Sequence, residues 1–207
     1  MGVMADLPEV LDLPLAGGAG YWYWLGGRPA TDFVNTLRER WRRRVETLAT
    51  PADLGFWLHR AGLLEAPPGT VSAALLPEAR ALREAIDACL TAALEGRAAD
   101  AAALARIDGW LPAAAAPPRL IAGPALIAAP RDDPRRALGA VALDAAHMLG
   151  DPAEASRMRI CASATCSARF YDRSPAGRRR WCSMQGCGNQ AKARRYRARH
   201  QPEQEST

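Results

Sequence analysis

The sequence predicts a mainly α chain with a small β-hairpin (α+β), in which a helical N-terminal domain is followed by a small C-terminal module built on cysteines. Three observations carry this. Cys161, Cys166, Cys182 and Cys187 form two Cys-x4-Cys pairs separated by fifteen residues. Charge divides the chain: residues 157–200 hold 12 Lys/Arg and one acid, Asp172, whereas residues 1–156 hold 15 Arg and 19 Asp/Glu. Apolar residues upstream recur at helical spacing. The expected organisation is an N-terminal extension over 1–28, a helical domain over 29–153, the cysteine module over 157–200 and a tail over 201–207.

The elements follow in order. Thr31 can cap a helix whose apolar positions Phe33, Val34, Leu37 and Trp41 keep one face of a 3.6-residue period. Its far end, with Arg38, Arg40, Arg42, Arg43 and Arg44, reads as a solvated end favoured by the macrodipole, a second nucleic-acid patch being the minority reading. Thr50-Pro51-Ala52-Asp53 is a helix start, with an N-cap hydroxyl and a proline in the first turn; it leads through Leu54, Trp57 and Leu58 to a stop near Gly62. Helices over about Pro77 to Leu94 and Ala98 to Leu111 come next. Arg119 to Ala128 reads as two short strands around the Gly123-Pro124 turn. Asp133-Pro134 opens a last helix that ends at Gly150. The Gly-Gly pairs at 17–18 and 26–27 read as flexible connectors. No stretch is apolar and long enough to span a membrane: Leu13 to Gly27 is uncharged, but Pro14 and several glycines break it.

A thiolate pair a few residues apart can bite one metal from a tight turn, and two such pairs complete the four-sulfur shell that structural zinc favours. The competing readings are two disulfides or small buried apolar residues. No Lys or Arg precedes Arg28 and the first twelve residues carry three acids, so a positively charged leader is not expected. A reducing cytoplasm, the expected location, turns paired cysteines toward metal. One structural zinc is therefore expected, and it would supply the folding energy that roughly 40 residues seldom find in a core of their own. Cys89, in an Ala/Leu-rich run, reads as a core residue.

The cationic segment, with Phe170, Tyr171, Trp181 and Tyr196 among its arginines, points to a polyanion as partner. Cys161 and Cys166 would form a knuckle. Arg169-Phe170-Tyr171 and Arg179-Arg180-Trp181 would pair as a hairpin closed by Ser174 to Gly177, and Cys187 would open a final helix in a treble-clef-like arrangement. On a helix from about Gly188 to His200, Lys192, Arg195 and Arg199 share one face with Tyr196 at its edge, while Arg194 and Arg197 point elsewhere. The candidate DNA-binding residues are Arg178, Arg179, Arg180, Lys192, Arg194, Arg195, Arg197 and Arg199. Asp32 and Asn35 read as capping or buried polar contacts, the second reading being a small-molecule pocket. His59 and His147 read as structural or exposed. The chain has no nucleophile elbow, phosphate-binding glycine loop or His-Glu-x-x-His motif, so no enzyme is expected.

Cys161 to His200 closely resembles the bacterial CGNR zinc finger, through Phe170-Tyr171-Asp172, Arg179 to Met184, Cys187-Gly188-Asn189 and Ala191 to Arg197. The family's fourth letter is Arg, and this chain has Gln190, which removes one cation near the proposed helix start. Upstream, Asp32-Phe33-Val34-Asn35-Thr36 and Thr50 to Leu54 look like the ABATE domain that accompanies this finger in stress-induced transcription regulators. The resemblance implies a transcriptional regulator of unknown targets; the expected location is the cytoplasm, at the nucleoid. The resulting expectation is a zinc-dependent protein that binds duplex DNA, with the helical domain as a sensor of an effector or as a partner-binding region. The alternatives are a finger that docks on an acidic protein partner, or an RNA-binding protein.

Overall fold

In the computed structural model, residues 7–67, 69–115, 119–121, 125–127 and 131–200 are described. Eight α-helices and three antiparallel strand pairs are found among them. The chain runs α1 (Pro29–Val34), β1 (Leu37–Arg38), β2 (Val45–Glu46), α2 (Pro51–Arg60), α3 (Leu75–Leu94), α4 (Ala101–Asp108) and α5 (Leu111–Ala114). Then come β3 (Arg119–Ile121), β4 (Ala125–Ile127), α6 (Pro134–Gly150), α7 (Pro152–Ala155), β5 (Met158–Ile160), β6 (Arg169–Tyr171), a π turn at Met184–Gly188 and α8 (Asn189–His200).

The long helices follow the sequence. Thr50 and Asp53 form a capping box: the Thr50 N–H donates to Asp53 Oδ2 at 2.7 Å, and the Asp53 N–H donates to Thr50 Oγ1 at 3.2 Å. Asp133 caps α6, accepting from the Arg135 N–H at 2.8 Å. The strands β3 and β4 pair as expected, with Leu120 opposite Leu126; the Gly123-Pro124 turn lies outside the described residues, as does the tail. The helical core is filled by α3 and α6, with Leu82, Ile86, Leu90, Leu138, Val141 and Met148 all buried. His147 is exposed on α6, and His59 Nδ1 lies 3.2 Å from the Leu64 carbonyl oxygen.

The first helix differs from expectation. It begins at Pro29 and stops at Val34, Arg28 rather than Thr31 is its N-cap, and Leu37 already belongs to a strand. The reason lies in Asn35 and Thr36, two short polar residues that offer the backbone other partners. Thr36 Oγ1 donates to the Phe33 carbonyl at 2.7 Å, and the Thr36 carbonyl accepts both the N–H and the hydroxyl of Thr47, at 3.1 and 2.6 Å. Phe33 and Val34 are buried but Trp41 is 51% exposed, so the apparent helical stripe joins a helix, a strand and a loop.

The arginines of that region consequently have no helix end to sit on. Arg38 lies over the Tyr23 ring at 3.5 Å, and Arg40 is buried against Glu84 and Asp87. Arg43 forks onto Glu39 with two 2.8 Å bonds. Arg42 and Arg44 remain exposed.

The N-terminal segment is anchored. Trp24 stacks on Trp57 with centroids 5.7 Å apart, Trp22 meets Trp24 edge-on, and the Trp22 indole N–H donates to the Thr47 carbonyl at 3.2 Å. Its two Gly-Gly pairs serve as contact points rather than loose connectors. The Gly18 N–H donates to Asp53 Oδ1 at 2.6 Å; the Gly26 N–H donates to Asp32 and its carbonyl accepts the Tyr171 N–H, both at 2.7 Å. A Cβ at Gly26 would fall 2.6 Å from Thr31 Oγ1, which leaves no room for any other residue.

Candidate metal centre and nucleic-acid interface

Cys161 follows β5 and Cys166 closes the knuckle that leads into β6. The knuckle is pinned by three bonds: the Cys161 N–H to the Ala168 carbonyl at 2.9 Å, the Cys166 N–H to the Ser163 carbonyl at 3.0 Å, and the Ala168 N–H to Cys166 Sγ at 3.4 Å. Cys182 ends the long loop after β6, and Cys187 sits within the π turn, whose first turn is capped by Ser183 Oγ accepting from the Gly186 N–H at 3.2 Å.

The four sulfurs lie within 4.8 Å of one another. Cys182 Sγ is 3.8 Å from both Cys166 Sγ and Cys187 Sγ. A tetrahedron with metal–sulfur bonds of about 2.3 Å has edges of about 3.8 Å, so the shell has the dimensions zinc requires. Protonation makes the same point. Four thiolates this close repel one another, so without a cation they cannot all stay ionised. A dication is what allows four adjacent sulfurs all to be thiolates. The four cysteines therefore form a site for one zinc ion.

Around the cluster, Cys161, Cys166, Ala168, Phe170 and Cys182 form a second small core, with Leu25 and Trp181 against it. Gly188, in the Cys187-Gly188-Asn189 motif, packs beside Met184 and Trp181: a Cβ there would lie 2.9 Å from Sδ of the half-exposed Met184, which can move aside, and 3.4 Å from Trp181 Cδ1. Asp172 organises the long loop. It is fully buried, and its carboxylate accepts the Ser174 N–H at 2.9 Å and the Arg179 N–H at 2.8 Å. Burial alone would raise this carboxyl, but these donors outweigh it and bring it down to about 2. The sequence contained the signal, an acid two residues before Ser174-Pro175-Ala176-Gly177.

The expected pairing of Arg169–Tyr171 with Arg179–Trp181 is not what forms. β6 pairs instead with β5, with Met158 opposite Tyr171 and Ile160 opposite Arg169. The 179–181 segment is not free to pair: the buried Asp172 carboxylate turns the loop by holding the Ser174 N–H at 2.9 Å and the Arg179 N–H at 2.8 Å, so Arg179 has no main-chain N–H left for a strand partner. Single bonds tie that run down: the Ala162 N–H donates to the Arg180 carbonyl at 2.8 Å.

The module is bolted to the helical part rather than strung beside it. Asn35 Nδ2 donates to the Arg169 carbonyl and Asn35 Oδ1 accepts the Arg169 N–H, each at 2.8 Å, so one buried amide imitates a neighbouring strand. The Arg40 N–H donates to Ser167 Oγ at 2.9 Å. Arg169, 5% exposed, lies with Nε 2.7 Å from Asp87 of α3, which also faces Arg40 at 3.2 Å. Burial pushes the Asp87 carboxyl up and the Arg169 guanidinium down, so desolvation outweighs the attraction.

Asp32 and Asn35 thus face different neighbours. Asp32 accepts from Gly26, and burial raises its carboxyl to about 7 against the lowering effect of the Gly26 and Leu25 N–H groups. Asn35 is 3% exposed and committed to Arg169. Ser167, within the finger, and Asp87 on α3 anchor the finger to the helical part and were missed by sequence reasoning, because neither lies in a motif.

The candidate nucleic-acid residues fall into two groups. Arg179 donates to the Cys182 carbonyl at 2.8 Å and lies over the Phe170 ring, and Arg180 lies over Trp181, so both help hold the finger; Arg178 is exposed beside them. Lys192, Arg194, Arg195, Arg197 and Arg199 are all exposed on α8, a twelve-residue helix with no acid and no buried residue. Tyr196, 64% exposed, stacks on His200 with centroids 4.1 Å apart. A helix this short that buries no apolar face has little stability in water by itself. The π turn that carries Cys187 leads directly into it and supplies its starting geometry.

Two family models match the chain. ABATE, described as a putative stress-induced transcription regulator, matches residues 27–152, and the CGNR zinc finger matches residues 157–200. No curated protein matches it.

Proposed function

The chain belongs to the ABATE family and ends in a CGNR zinc finger, and from this premise we propose that it is a regulator whose finger holds α8 against duplex DNA. One observation carries the reading: α8 presents five Lys/Arg and no acid, all solvent-facing, directly from the cysteine cluster. Zinc bound to the four thiolates supplies the folding energy of the knuckle and the π turn. The chain's own residues do the rest.

Lys192, Arg195 and Arg199 on one face of α8 meet base edges in the groove, and Arg194, Arg197 and Arg178 reach phosphates on either side. Gln190 stands close to the start of α8, where it offers an amide rather than a cation to the backbone. The helical domain fixes the finger's orientation through Asn35, Arg40 and Asp87, and any effector or partner it senses would act through those contacts. The protein works in the cytoplasm at the nucleoid and catalyses no reaction. Among the described residues no helix is long and apolar enough to cross a membrane.

Selection from a library of random duplexes by the zinc-loaded protein tests the reading. Enrichment of a common motif is the expected outcome. Recovery of single-stranded RNA in preference to duplex, or no retained nucleic acid together with nuclease-resistant capture of an acidic protein, would replace it.

A further inference from the structure

The loop between β1 and β2 joins the finger at its knuckle and keeps an aromatic ring and two cations in solvent. Arg40, at its centre, donates its N–H to Ser167 Oγ at 2.9 Å, next to the metal ligand Cys166. Trp41 lies against the finger with its ring 5.3 Å from the Arg169 guanidinium, yet it is 51% exposed. Glu39 lines a cleft of about 290 Å³ together with Cys166, Cys187 and Gln190, so this loop borders the start of α8. The loop is held in an unusual shape: Glu39 and Arg44 both take left-handed backbone, at φ 48° and 52°. Such conformations are costly for these residues and persist where surrounding contacts enforce them, commonly at functional sites.

The loop's charges separate into used and displayed. Arg40 is consumed by Glu84 and Asp87, and Arg43 by Glu39. Arg42, with 48% of its side chain exposed, reaches Glu39 only at 3.7 Å, and Arg44 is exposed with one bond to the Arg40 carbonyl at 3.2 Å. A half-exposed tryptophan next to displayed cations, on a loop that borders the start of a cationic helix, fits a sugar-phosphate strand better than it fits bulk water.

We propose that the ABATE domain is itself part of the nucleic-acid interface, with Trp41 packing on the duplex backbone beside the groove occupied by α8 and Arg42 and Arg44 each contacting a phosphate. The inference rests on the duplex-DNA reading of α8. It assigns the helical domain a direct role in binding besides holding the finger, and it makes the contacted site longer than the finger alone could cover.

The two kinds of contact leave different signatures in salt titrations of the full-length zinc-loaded protein on duplex DNA. Arg42→Ala and Arg44→Ala should each flatten the slope of log affinity against log salt by about 0.9. Trp41→Ala should weaken binding about tenfold at every salt concentration with an unchanged slope, as expected for loss of a large non-ionic anchor. Trp41→Phe, which retains an aromatic ring over Arg169, should recover most of the loss and serves as the control for folding. Normal slopes and affinities in all three alanine variants, with Arg195→Ala still impaired, would overturn the inference and leave the α8 reading intact. No binding by the unmodified protein would instead remove the reading on which it rests. Preferential binding of the Trp41 loop to unpaired strands would also overturn it, since stacking on free bases would then be its role.

Discussion

Replacing Asn35 by alanine removes both hydrogen bonds that its side chain makes to the Arg169 main chain, each 2.8 Å long and each buried. Alanine leaves one N–H and one carbonyl of β6 without partners at a position that water does not reach. An unsatisfied buried group costs about 1 to 3 kcal/mol, so the pair predicts a loss of about 2 to 6 kcal/mol. For a chain of this size that corresponds to a fall in Tm of roughly 2 to 4 °C per kcal/mol. The damage should also be local. Hydrogen exchange of the zinc-loaded variant should show faster exchange at Arg169 and at Tyr171, whose N–H bonds the Gly26 carbonyl at 2.7 Å, while amides in α3 and α6 keep their order of protection. Urea unfolding within about 0.5 kcal/mol of the parent chain, with Arg169 still protected, would refute the view that the Asn35 amide is one of the joints between the finger and the helical domain.

Three further outcomes follow from the same geometry. Phe33→Ala, which empties a fully buried site against Trp57, should cost about 3 to 5 kcal/mol in urea unfolding. The Asp32 carboxyl is raised to about 7 when folded, above its ordinary range near 4. Its contribution is therefore complete below about pH 4 and disappears as pH rises through about 7, and Asp32→Asn should flatten the stability profile across that window. On α8, Arg194→Ala and Arg197→Ala should weaken all duplexes alike and flatten the salt slope; Arg195→Ala and Arg199→Ala should in addition relax sequence preference by about 1 to 3 kcal/mol at one or two positions, read in competition assays with point-substituted duplexes.

What the sequence displayed was local. The cysteine spacing, the Thr50–Asp53 box, the Asp133-Pro134 start and the acid-free cationic stretch from Lys192 to Arg199 each depend on neighbours a few residues away, and each is found where expected. What it concealed was long-range. Helical period alone could not reveal that Asn35 would leave its helix to serve as a partner for Arg169, 134 residues on. Nor could it show that Arg40 and Arg83 would be buried among Glu46, Glu84 and Asp87 while Arg42 and Arg44 stayed outside. The choice of strand partner for β6 failed for a related reason: Met158–Ile160 is three residues long and carries no turn signal toward β6, since the knuckle that connects them is closed by metal ligands.

The central claim is that the cysteine cluster presents α8 to duplex DNA, and a single titration addresses it. Affinity for duplex DNA is measured against salt for the zinc-loaded protein and for the same preparation stripped by a chelator. The zinc-loaded protein should bind at about 0.1 M salt with a slope of about −3.6 to −5.4, the value for four to six phosphates at about −0.9 each. The stripped protein should lose that binding while its helical domain keeps its far-ultraviolet circular dichroism, because the core of α3 and α6 contains none of the four cysteines. Equal binding with and without metal, or none at about 0.1 M salt by the loaded protein, would contradict it.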